Sequence, residues 1–378
     1  MKQEEYLKYY KMELRVLSPI FIGNGEKIGK KEYIYVPFQK KIFIPDLGKM
    51  YESFRKSGLE REYQEYVLKS NNQDFSWWLK EHGYRVEDYQ KWAKYELDTS
   101  DSALSSQDRQ VRPKEILCFV KDAYGMPYIP GSSIKGMIRT ALLTYEIKKH
   151  PEKYEKIKSE IWDNRLEEAK RKKYLSREAE DLEIRTFHTL NRPEENIRNA
   201  VNSVMSGLII GDSSSVDTDQ LSLCQKVEYN VMKQERLLPI LRETVIPGTK
   251  FEFDLTIDTK ICPYTIETIR EALDLFNQLC YSRFYSKFDR GDNRKGIVWL
   301  GGGVGFLSKT IPYALFEETE AIELTTQIFK HTLNRKMYND HKHFKDQRLG
   351  VSPHICKCTR YKNQLYDMGR CQLRVLKE

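Results

Sequence analysis

The stretch TKFEFDLTID, residues 249–258, has the clearest strand pattern in this chain of 378 residues. Its apolar residues stand at every second position, which is typical of a strand with one buried face. These residues are Phe251, Phe253, Leu255 and Ile257. From about residue 258 to 288 the apolar spacing becomes helical. The predicted helix presents one stripe made of Ile266, Ile269, Leu273, Phe276 and Leu279.

Further elements extend the pattern in both directions. Residues 9–20 alternate like 249–258, and shorter strands are predicted at 33–36, 115–123, 207–216 and 227–232. A helix begins within YIPGSSIKGMIRTALL (128–143) and runs to about 148. GIVWLGGGVGFLSKT (296–310) reads as a strand entering a glycine-rich loop, followed by a helix from about 315 to 337 and a last strand at 371–376. This order is compatible with a βαββαβ unit, so we predict an α+β fold with a ferredoxin-like (RRM-like) core, an antiparallel sheet and helical insertions.

Two charged, helix-rich blocks interrupt the core pattern. In the first, we expect Trp77, Trp78, Leu79 and Trp92 to form a small core of their own. The predicted organisation is 1–46, first strands of the core; 47–114, helical insertion; 115–150, core strand and helix; 151–206, second helical insertion; and 207–378, the rest of the core with the glycine-rich loop and a basic C-terminal region.

The composition of the chain indicates its cellular location and the kind of partner it binds. No apolar run approaches the roughly 18 residues that span a bilayer, so no membrane contact is expected. Seven scattered cysteines do not resemble a secreted disulfide framework, and we expect a cytoplasmic location. The net charge is +8, and residues 330–378 alone hold twelve Lys/Arg against four Asp/Glu (12 − 4 = +8). The basic C-terminal third favours a polyanionic partner.

Within YIPGSSIKGMIRTALL, the helix start predicts an anion-binding site. Ser132 or Ser133 can cap the helix, which by itself explains the two serines. Lys135 and Arg139 lie near the positive end of the helix dipole, where they are unfavourable unless an anion compensates them. We therefore assign Ser132, Ser133, Lys135 and Arg139 to anion binding.

Two other segments could join the helix start on one face. The loop GGGVGFLSKT lacks the spacing of a nucleotide-binding P-loop, because Lys309 follows a serine rather than a glycine. A backbone contact to a nucleic acid or a tight structural connection both remain open for this loop. The third segment is GNGE, interpreted as a turn after the first strand. The candidate residues are Gly23, Asn24, Gly25, Lys27, Gly301, Gly302, Gly303, Gly305, Ser308 and Lys309.

No catalytic, metal or cofactor site is predicted. His82 and His188 are isolated histidines, and Asp212 in IIGDSSS has no second carboxylate at metal-binding spacing. The histidines and cysteines of the last forty residues lack a second closely spaced pair to complete a zinc site. They are His341, His343, His354, Cys356, Cys358 and Cys371.

Four motifs together resemble one family. LSPIFIGNGE, YIPGSSIKGMIRTAL, GDSSSV and WLGGGVGFLSKT are similar to segments of the RAMP proteins of CRISPR systems, from about residue 9 to 376. The likeness is greatest to the subunit type that caps the 3′ end of the guide RNA in type III-A (Csm) effector complexes. It implies a RAMP core that binds RNA by backbone and shape, without catalysis of its own, in antiviral defence.

The resemblance also implies partners. These are the guide (CRISPR) RNA, target RNA in the assembled complex, the backbone RAMP subunits and small helical subunit of the Csm complex, and host nucleases recruited for guide maturation. Two alternatives within the same family remain open: a RAMP endoribonuclease that processes guide precursors, and a RAMP subunit at the 5′ handle of the guide. An enzyme acting on a small phosphate compound is a third.

Overall fold

The computed structural model describes residues 6–69, 74–99, 115–167, 173–192, 196–307 and 310–377. Its strands are β1 (Leu7–Val16), β2 (Gly23–Ile28), β3 (Ile34–Val36), β4 (Lys41–Pro45), β5 (Ala93–Asp98), β6 (Ile116–Phe119), β7 (Leu208–Ile210), β8 (Leu221–Asn230), β9 (Glu235–Val245), β10 (Lys250–Asp258), β11 (Ile297–Trp299), β12 (Ile355–Tyr361), β13 (Gln364–Asp367) and β14 (Arg370–Lys377). Its α-helices are α1 (Leu47–Lys56), α2 (Glu60–Leu68), α3 (Phe75–Glu81), α4 (Val86–Trp92), α5 (Gly131–Lys149), α6 (Glu155–Asn164), α7 (Ser176–Phe187), α8 (Ile266–Arg283), α9 (Pro312–Leu315), α10 (Glu318–Thr332), α11 (Arg335–His341) and α12 (Asp346–Leu349).

The first sheet is the ferredoxin-like core. Its strand order is β11-β14-β1-β10-β7, and every neighbouring pair is antiparallel. Without the edge strand β11, the order of β1, β7, β10 and β14 corresponds to 4-1-3-2 of a βαββαβ unit, with α5 after the first strand and α8 after the third. The predicted α+β class and ferredoxin-like core are therefore confirmed.

Burial explains why these segments fold as they do. The four alternating apolar residues of β10 are at most 1% exposed, and Met12, Leu14 and Val16 of β1 are equally buried beside them. The helices α5 and α8 pack on each other and on this layer. Each fully buried large apolar side chain contributes about 1.5–3 kcal/mol. The alternating pattern read from the sequence is thus the inner face of the core sheet.

A second, nine-stranded sheet was not expected from the sequence. Its main path is β2-β6-β9-β8-β5-β4-β3, and β12 joins β8 and carries β13. Most pairs are antiparallel, but β5 with β8 and β6 with β9 are parallel. The strands come from the long excursions between the core elements. Consequently the segment 93–98, predicted as part of a helical insertion, is strand β5 of this sheet.

The helices α1 to α4 enclose a separate aromatic cluster. Phe54 lies at its centre, with Trp78 and Trp92 at ring-centroid distances of 5.4 and 5.6 Å. Trp78, Leu79 and Trp92 are buried as expected, but Trp77 is 47% exposed, so its prediction as a core residue was wrong. The side chain of Trp77 lies on the outer face of α3, because helical geometry turns it away from the neighbouring Trp78.

Several boundaries differ from the prediction. The helix expected from about 258 to 288 is α8, 266–283, with a short 3₁₀ turn at 285–288, and the one expected from 315 to 337 is α10, 318–332. GNGE does not form a turn: it lies in β2, where the register with β6 shifts between Gly23 and Lys27. Among the described helices, none is long and apolar enough to cross a membrane.

Candidate nucleic-acid interface

The three segments predicted to bind an anion border one cleft of about 440 Å³, which we call the main cleft. The start of β2, the first turns of α5 and the loop after β11 supply its lining. The predicted site residues in the lining are Gly23, Ser132, Ser133, Gly301 and Gly302. The remaining lining residues are Ile22, Gly136, Met137, Thr140, Trp299, Leu300 and Val304. Residues more than 250 positions apart in the sequence are thus brought to one place by the ferredoxin-like core.

The glycine-rich loop lies directly against the segment before β2. The Gly302 N–H donates to the Phe21 carbonyl at 2.6 Å, and a Cβ on Gly301 would stand 2.4 Å from the same oxygen. Gly301 also has φ +94, a conformation that favours glycine. Gly301 is therefore required for a tight structural connection, which was the structural alternative for the loop, and Gly302 adds a backbone hydrogen bond to it. Their position also fixes one wall of the main cleft.

The other predicted residues of β2 form local contacts. Asn24 Nδ2 donates to Glu26 Oε2 at 2.8 Å and its Oδ1 accepts from the Glu26 N–H, which stabilises the irregular part of the strand. Gly25 has φ +92. Lys27 forms an exposed ion pair with Glu115 at 3.2 Å. Exposed pairs of this kind contribute about 0–1 kcal/mol, so the Lys27 ammonium can exchange partners readily.

The start of α5 differs from the prediction in its capping. The N-cap residue is Pro130, and in the described part of the chain neither Ser132 nor Ser133 caps the helix with its side chain. The anion at this end is the carboxylate of Asp212, whose Oδ1 accepts from the Gly131 N–H at 2.8 Å. A carboxylate at a helix N-terminus is stabilised by the free N–H groups and the dipole. Asp212 therefore supplies one negative charge at the helix start, where the sequence predicted an anion.

The two predicted cations of α5 are not equivalent. Arg139 is ion-paired with Glu183 of α7 and lies over the Phe187 ring at 5.8 Å. Among the described residues, no carboxylate lies within ion-pair distance of Lys135. Burial lowers the pKa of Lys135, and repulsion from Arg139 adds to that shift. Of the two, Lys135 is the cation that has no ion-pair partner in the described ranges and that an external anion would stabilise.

Gly136 lines the main cleft but was not chosen from the sequence. It is exposed in the interior of α5, and no described heavy atom lies within 4 Å of a Cβ built on it. A helix-interior glycine costs about 1 kcal/mol relative to alanine. Internal packing therefore does not account for this glycine, whereas Gly131, whose Cβ would stand 2.3 Å from the Ile210 carbonyl oxygen, is explained by packing. The signal in the sequence was a glycine between good helix-forming residues.

The remaining predicted loop residues do not line the main cleft. Gly303 and Gly305 border a neighbouring cavity instead, with φ values of +102 and +96. Ser308 and Lys309 lie outside the described residues.

Four of the six histidines and cysteines considered near the C-terminus lie in two buried groups, and His341 and Cys371 belong to neither. His343, Asp346 and His354 form one, and Cys356, Cys358 and Asp367 form the other. Both Asp346 oxygens accept hydrogen bonds from side chains, including the Ser352 hydroxyl at 2.6 Å. A hydrogen bond with Cys358 and burial raise the pKa of Cys356 well above its usual value, which disfavours the thiolate that a metal would bind. That no metal binds stays a prediction.

Comparisons with known proteins support the resemblance seen in the sequence. The model of the RAMP superfamily matches residues 13–305. Proteins named CRISPR system Cms protein Csm5 are similar along the chain: the one from Mycobacterium tuberculosis is 28% identical over 393 residues, covering 98% of each chain, and the one from Streptococcus thermophilus is 29% identical over 333 residues, covering 83% of this chain and 82% of the relative.

Two solved structures have the same fold. One is a chain from the cryo-EM structure of a Csm-crRNA-target RNA ternary complex of a type III-A CRISPR-Cas system, with a TM-score of 0.63 and 18% identity, covering 97% of this chain and 100% of that chain. The other is the crystal structure of T.onnurineus Csm5, with a TM-score of 0.61 and 16% identity, covering 95% and 99%.

Proposed function

Since this chain belongs to the RAMP superfamily, we propose that it is an RNA-binding structural subunit of a type III-A CRISPR effector (Csm) complex, which caps the backbone filament at the 3′ end of the guide RNA. The observation that carries the proposal is the main cleft, where the start of β2, the start of α5 and the glycine-rich loop meet. The full-length similarity to proteins named Csm5 supports the same assignment.

The guide RNA is the proposed ligand of the main cleft. Its lining offers glycine backbone and the hydroxyls of Ser132 and Ser133, with Lys135 on the same helix. Hydroxyls, backbone N–H groups and a lysine are the groups that proteins use for phosphate and sugar contacts, which position a nucleic acid without reading its sequence. This suits a subunit that must hold guides of any sequence.

The partners follow from this assignment. We propose contacts with the guide RNA, with target RNA in the assembled complex, and with the backbone RAMP and small helical subunits. Host nucleases that mature the guide would meet the complex near its 3′ end. Such a complex acts in the cytoplasm, where its RNA is made.

We further propose that the chain is not itself an enzyme. The histidines considered for catalysis have structural roles: His188 Nδ1 donates to the Ile197 carbonyl at 2.7 Å, and His82 Nδ1 donates to the Trp78 carbonyl at 2.8 Å. Incubating the purified chain with guide-precursor RNA, with and without EDTA, tests this point. Binding without cleavage is expected, and specific cleavage that is lost in His188→Ala would favour the endoribonuclease alternative.

Reconstitution tests the capping role. The complex is assembled with the wild-type chain, with a double variant carrying Lys135→Ala and Arg139→Ala, or without the chain. Native mass spectrometry gives the number of backbone subunits, and sequencing gives the guide length. We expect a fixed subunit number and a discrete guide length with the wild type, and a loss of both with the double variant.

The matched control carries Lys56→Ala and Arg61→Ala, which remove the same two residue types from exposed ion pairs in the helical insertion. If the double variant in α5 keeps wild-type guide length and subunit number, the role of α5 in holding the guide is wrong. If the defect maps to the 5′ end of the guide, the alternative position in the complex is favoured.

A further inference from the structure

A second cavity, of about 370 Å³, begins where the main cleft ends along the glycine-rich loop. The second sheet supplies Glu228 from β8, Arg242 from β9 and Lys357 from β12. Loop residues 303–307 and the helices α10 and α11 supply much of the remaining lining, and the other lining residues are Phe284, Leu333, His343, Pro353 and Ile355. The volume lies within the range of sites that hold small molecules.

The polar wall of this cavity carries more positive than negative charge. Glu228 is the single carboxylate among the described lining residues, against Arg242 and Lys357. Arg242 Nε is buried without an acceptor in the described part of the chain, and its Nη1 reaches only the Met368 sulfur at 3.3 Å. Burial lowers the pKa of Arg242. A buried guanidinium without a carboxylate is costly, and an anion in the cavity would relieve that cost.

Glu228 requires a ligand that carries hydrogen-bond donors, in addition to the anion that suits Arg242. It is 4% exposed, and neither of its oxygens has a hydrogen-bond donor among the residues that the structure describes. Two basic side chains come near it among the described residues: Lys226 Nζ and His341 Nδ1 stand 3.6 and 3.7 Å from Oε1, beyond hydrogen-bond distance. A buried carboxylate without donors is unfavourable, so the ligand should bring O–H or N–H groups. Inorganic phosphate alone would satisfy Arg242 but not Glu228.

Aromatic rings form another part of the lining. Phe306 and Phe329 stand 4.9 Å apart between ring centroids, and His343 stacks on Phe329 at 4.3 Å. Aromatic side chains of this kind stack nucleobases in RNA-binding proteins. The cavity thus combines cations, a hydroxyl acceptor and a stacking surface. An acidic peptide would use the cations but would not match the other two features.

We propose that the second cavity holds one ribonucleotide unit of an RNA, with its phosphate against Arg242 and Lys357, the ribose 2′-hydroxyl donating to Glu228, and its base on the aromatic wall. The inference rests on the proposed function, because it takes RNA to be the ligand of this subunit. It adds a defined binding site beyond the main cleft, and it gives the chain a means of distinguishing RNA from DNA.

Mononucleotide binding to the purified full chain tests the proposal. The probes are adenosine 5′-monophosphate, 2′-deoxyadenosine 5′-monophosphate and inorganic phosphate, measured by saturation-transfer NMR and calorimetry. We expect the ribonucleotide to bind about tenfold more tightly than the deoxynucleotide, because a hydrogen bond to a buried carboxylate is lost, and more tightly than phosphate. Changing the ligand leaves the fold of the protein untouched.

Protein variants then locate the effect. Glu228→Met should remove the preference for the ribonucleotide, because methionine has no oxygen acceptor for the hydroxyl, and Lys357→Gln should weaken both nucleotides. Glu235→Met, at the exposed start of β9, and Lys8→Gln, on an exposed position of β1, are the matched controls and should leave both affinities unchanged. Thermal unfolding verifies that each variant is folded.

The outcomes separate this inference from the proposed function. Equal binding of the three probes, or none, while guide-length RNA binds normally, overturns the inference and leaves the proposed function standing. A preference for the ribonucleotide that persists in Glu228→Met also overturns it, because the acceptor is then elsewhere. Failure of the chain to bind guide-length RNA overturns the proposed function.

Discussion

Gly136 allows the main cleft to be tested without damage to the fold. A Cβ at this position meets no described heavy atom within 4 Å, so both alanine and a longer side chain can be accommodated. Gly136→Ala should raise the free energy of unfolding by about 1 kcal/mol, because alanine restricts the unfolded chain and favours the helix. Gly136→Glu should also keep the helix, while placing a carboxylate in the main cleft.

The expected effect on RNA binding follows from Coulomb repulsion. Two negative charges about 5 Å apart, at an effective dielectric constant of about 20, repel by roughly 3 kcal/mol. This corresponds to about a hundredfold weaker binding. Gly136→Ala adds only a methyl group, and we expect its affinity to stay within about threefold of wild type.

The assay is fluorescence anisotropy with a labelled guide RNA, together with urea unfolding of each variant. The account predicts that both variants are at least as stable as wild type and that only Gly136→Glu loses RNA affinity. If Gly136→Glu is stable and binds guide RNA like the wild type, phosphates do not occupy the main cleft and the reasoning is refuted.

Three further predictions concern charge. Lys135→Ala should lower the slope of log RNA affinity against log salt concentration by about 0.7, the value for one lost phosphate contact. Arg139→Ala should change this slope less, because Arg139 is already ion-paired with Glu183. RNA titrations at several salt concentrations measure both slopes. Glu243→Gln should destabilise the chain by about 3–5 kcal/mol in urea unfolding, because Glu243 is fully buried and its removal leaves the Lys121 ammonium without its partner. Burial and the neighbouring Lys357 lower the pKa of Lys226 to about 7. Since the unfolded pKa is about 10.4, the unfolded state binds more protons between these values, and stability should rise with pH across that window by up to about 1.4 kcal/mol per pH unit. Comparing urea unfolding of wild type and Lys226→Met from pH 7 to 10 isolates this contribution.

Each of these predictions has a control and a contrary result. Equal salt slopes for Lys135→Ala and Arg139→Ala would contradict the distinction between the two cations. Glu96→Gln, which removes an exposed ion pair with Lys41, should lower the free energy of unfolding by less than about 1 kcal/mol. An equally small loss for Glu243→Gln would contradict a stabilising buried ion pair between Glu243 and Lys121. A constant stability difference between wild type and Lys226→Met across the pH range would show that the Lys226 pKa is not lowered.

The core was predictable where the periodicity was strong. The alternation in β10 and the helical stripe of α8 follow directly from one buried face, and both segments were assigned correctly apart from helix ends. The second sheet was missed, and only the end of its central strand β8 was assigned, as 227–232, because the alternation of Leu221, Leu223, Val227 and Tyr229 is interrupted at Gln225. Gln225, Lys226 and Glu228 are buried there among apolar neighbours, since this strand is covered on both faces. Buried polar residues in a strand conceal the pattern on which a prediction relies.

The candidate site was predictable in its segments but not in its pairings. The stretches that line the main cleft were all singled out from their glycines and serines. The partners of Gly131 and Arg139 were not predicted. Asp212 and Glu183 lie 81 and 44 residues away in the sequence, and only the fold brings them near. Likewise, Glu228, Arg242 and Lys357 come from three strands of the unpredicted sheet, so no local pattern marked the charged wall of the second cavity.

The most direct test of the central claim is photo-crosslinking of the assembled complex. A guide RNA carries 4-thiouridine either near its 3′ end or in its 5′ handle, and mass spectrometry identifies the cross-linked peptides of this chain. The account predicts cross-links from the 3′ positions to the lining of the main cleft, at residues 22–23, 132–140 and 299–304. Cross-links that arise only from the 5′ handle, or that fall outside these segments, would contradict it.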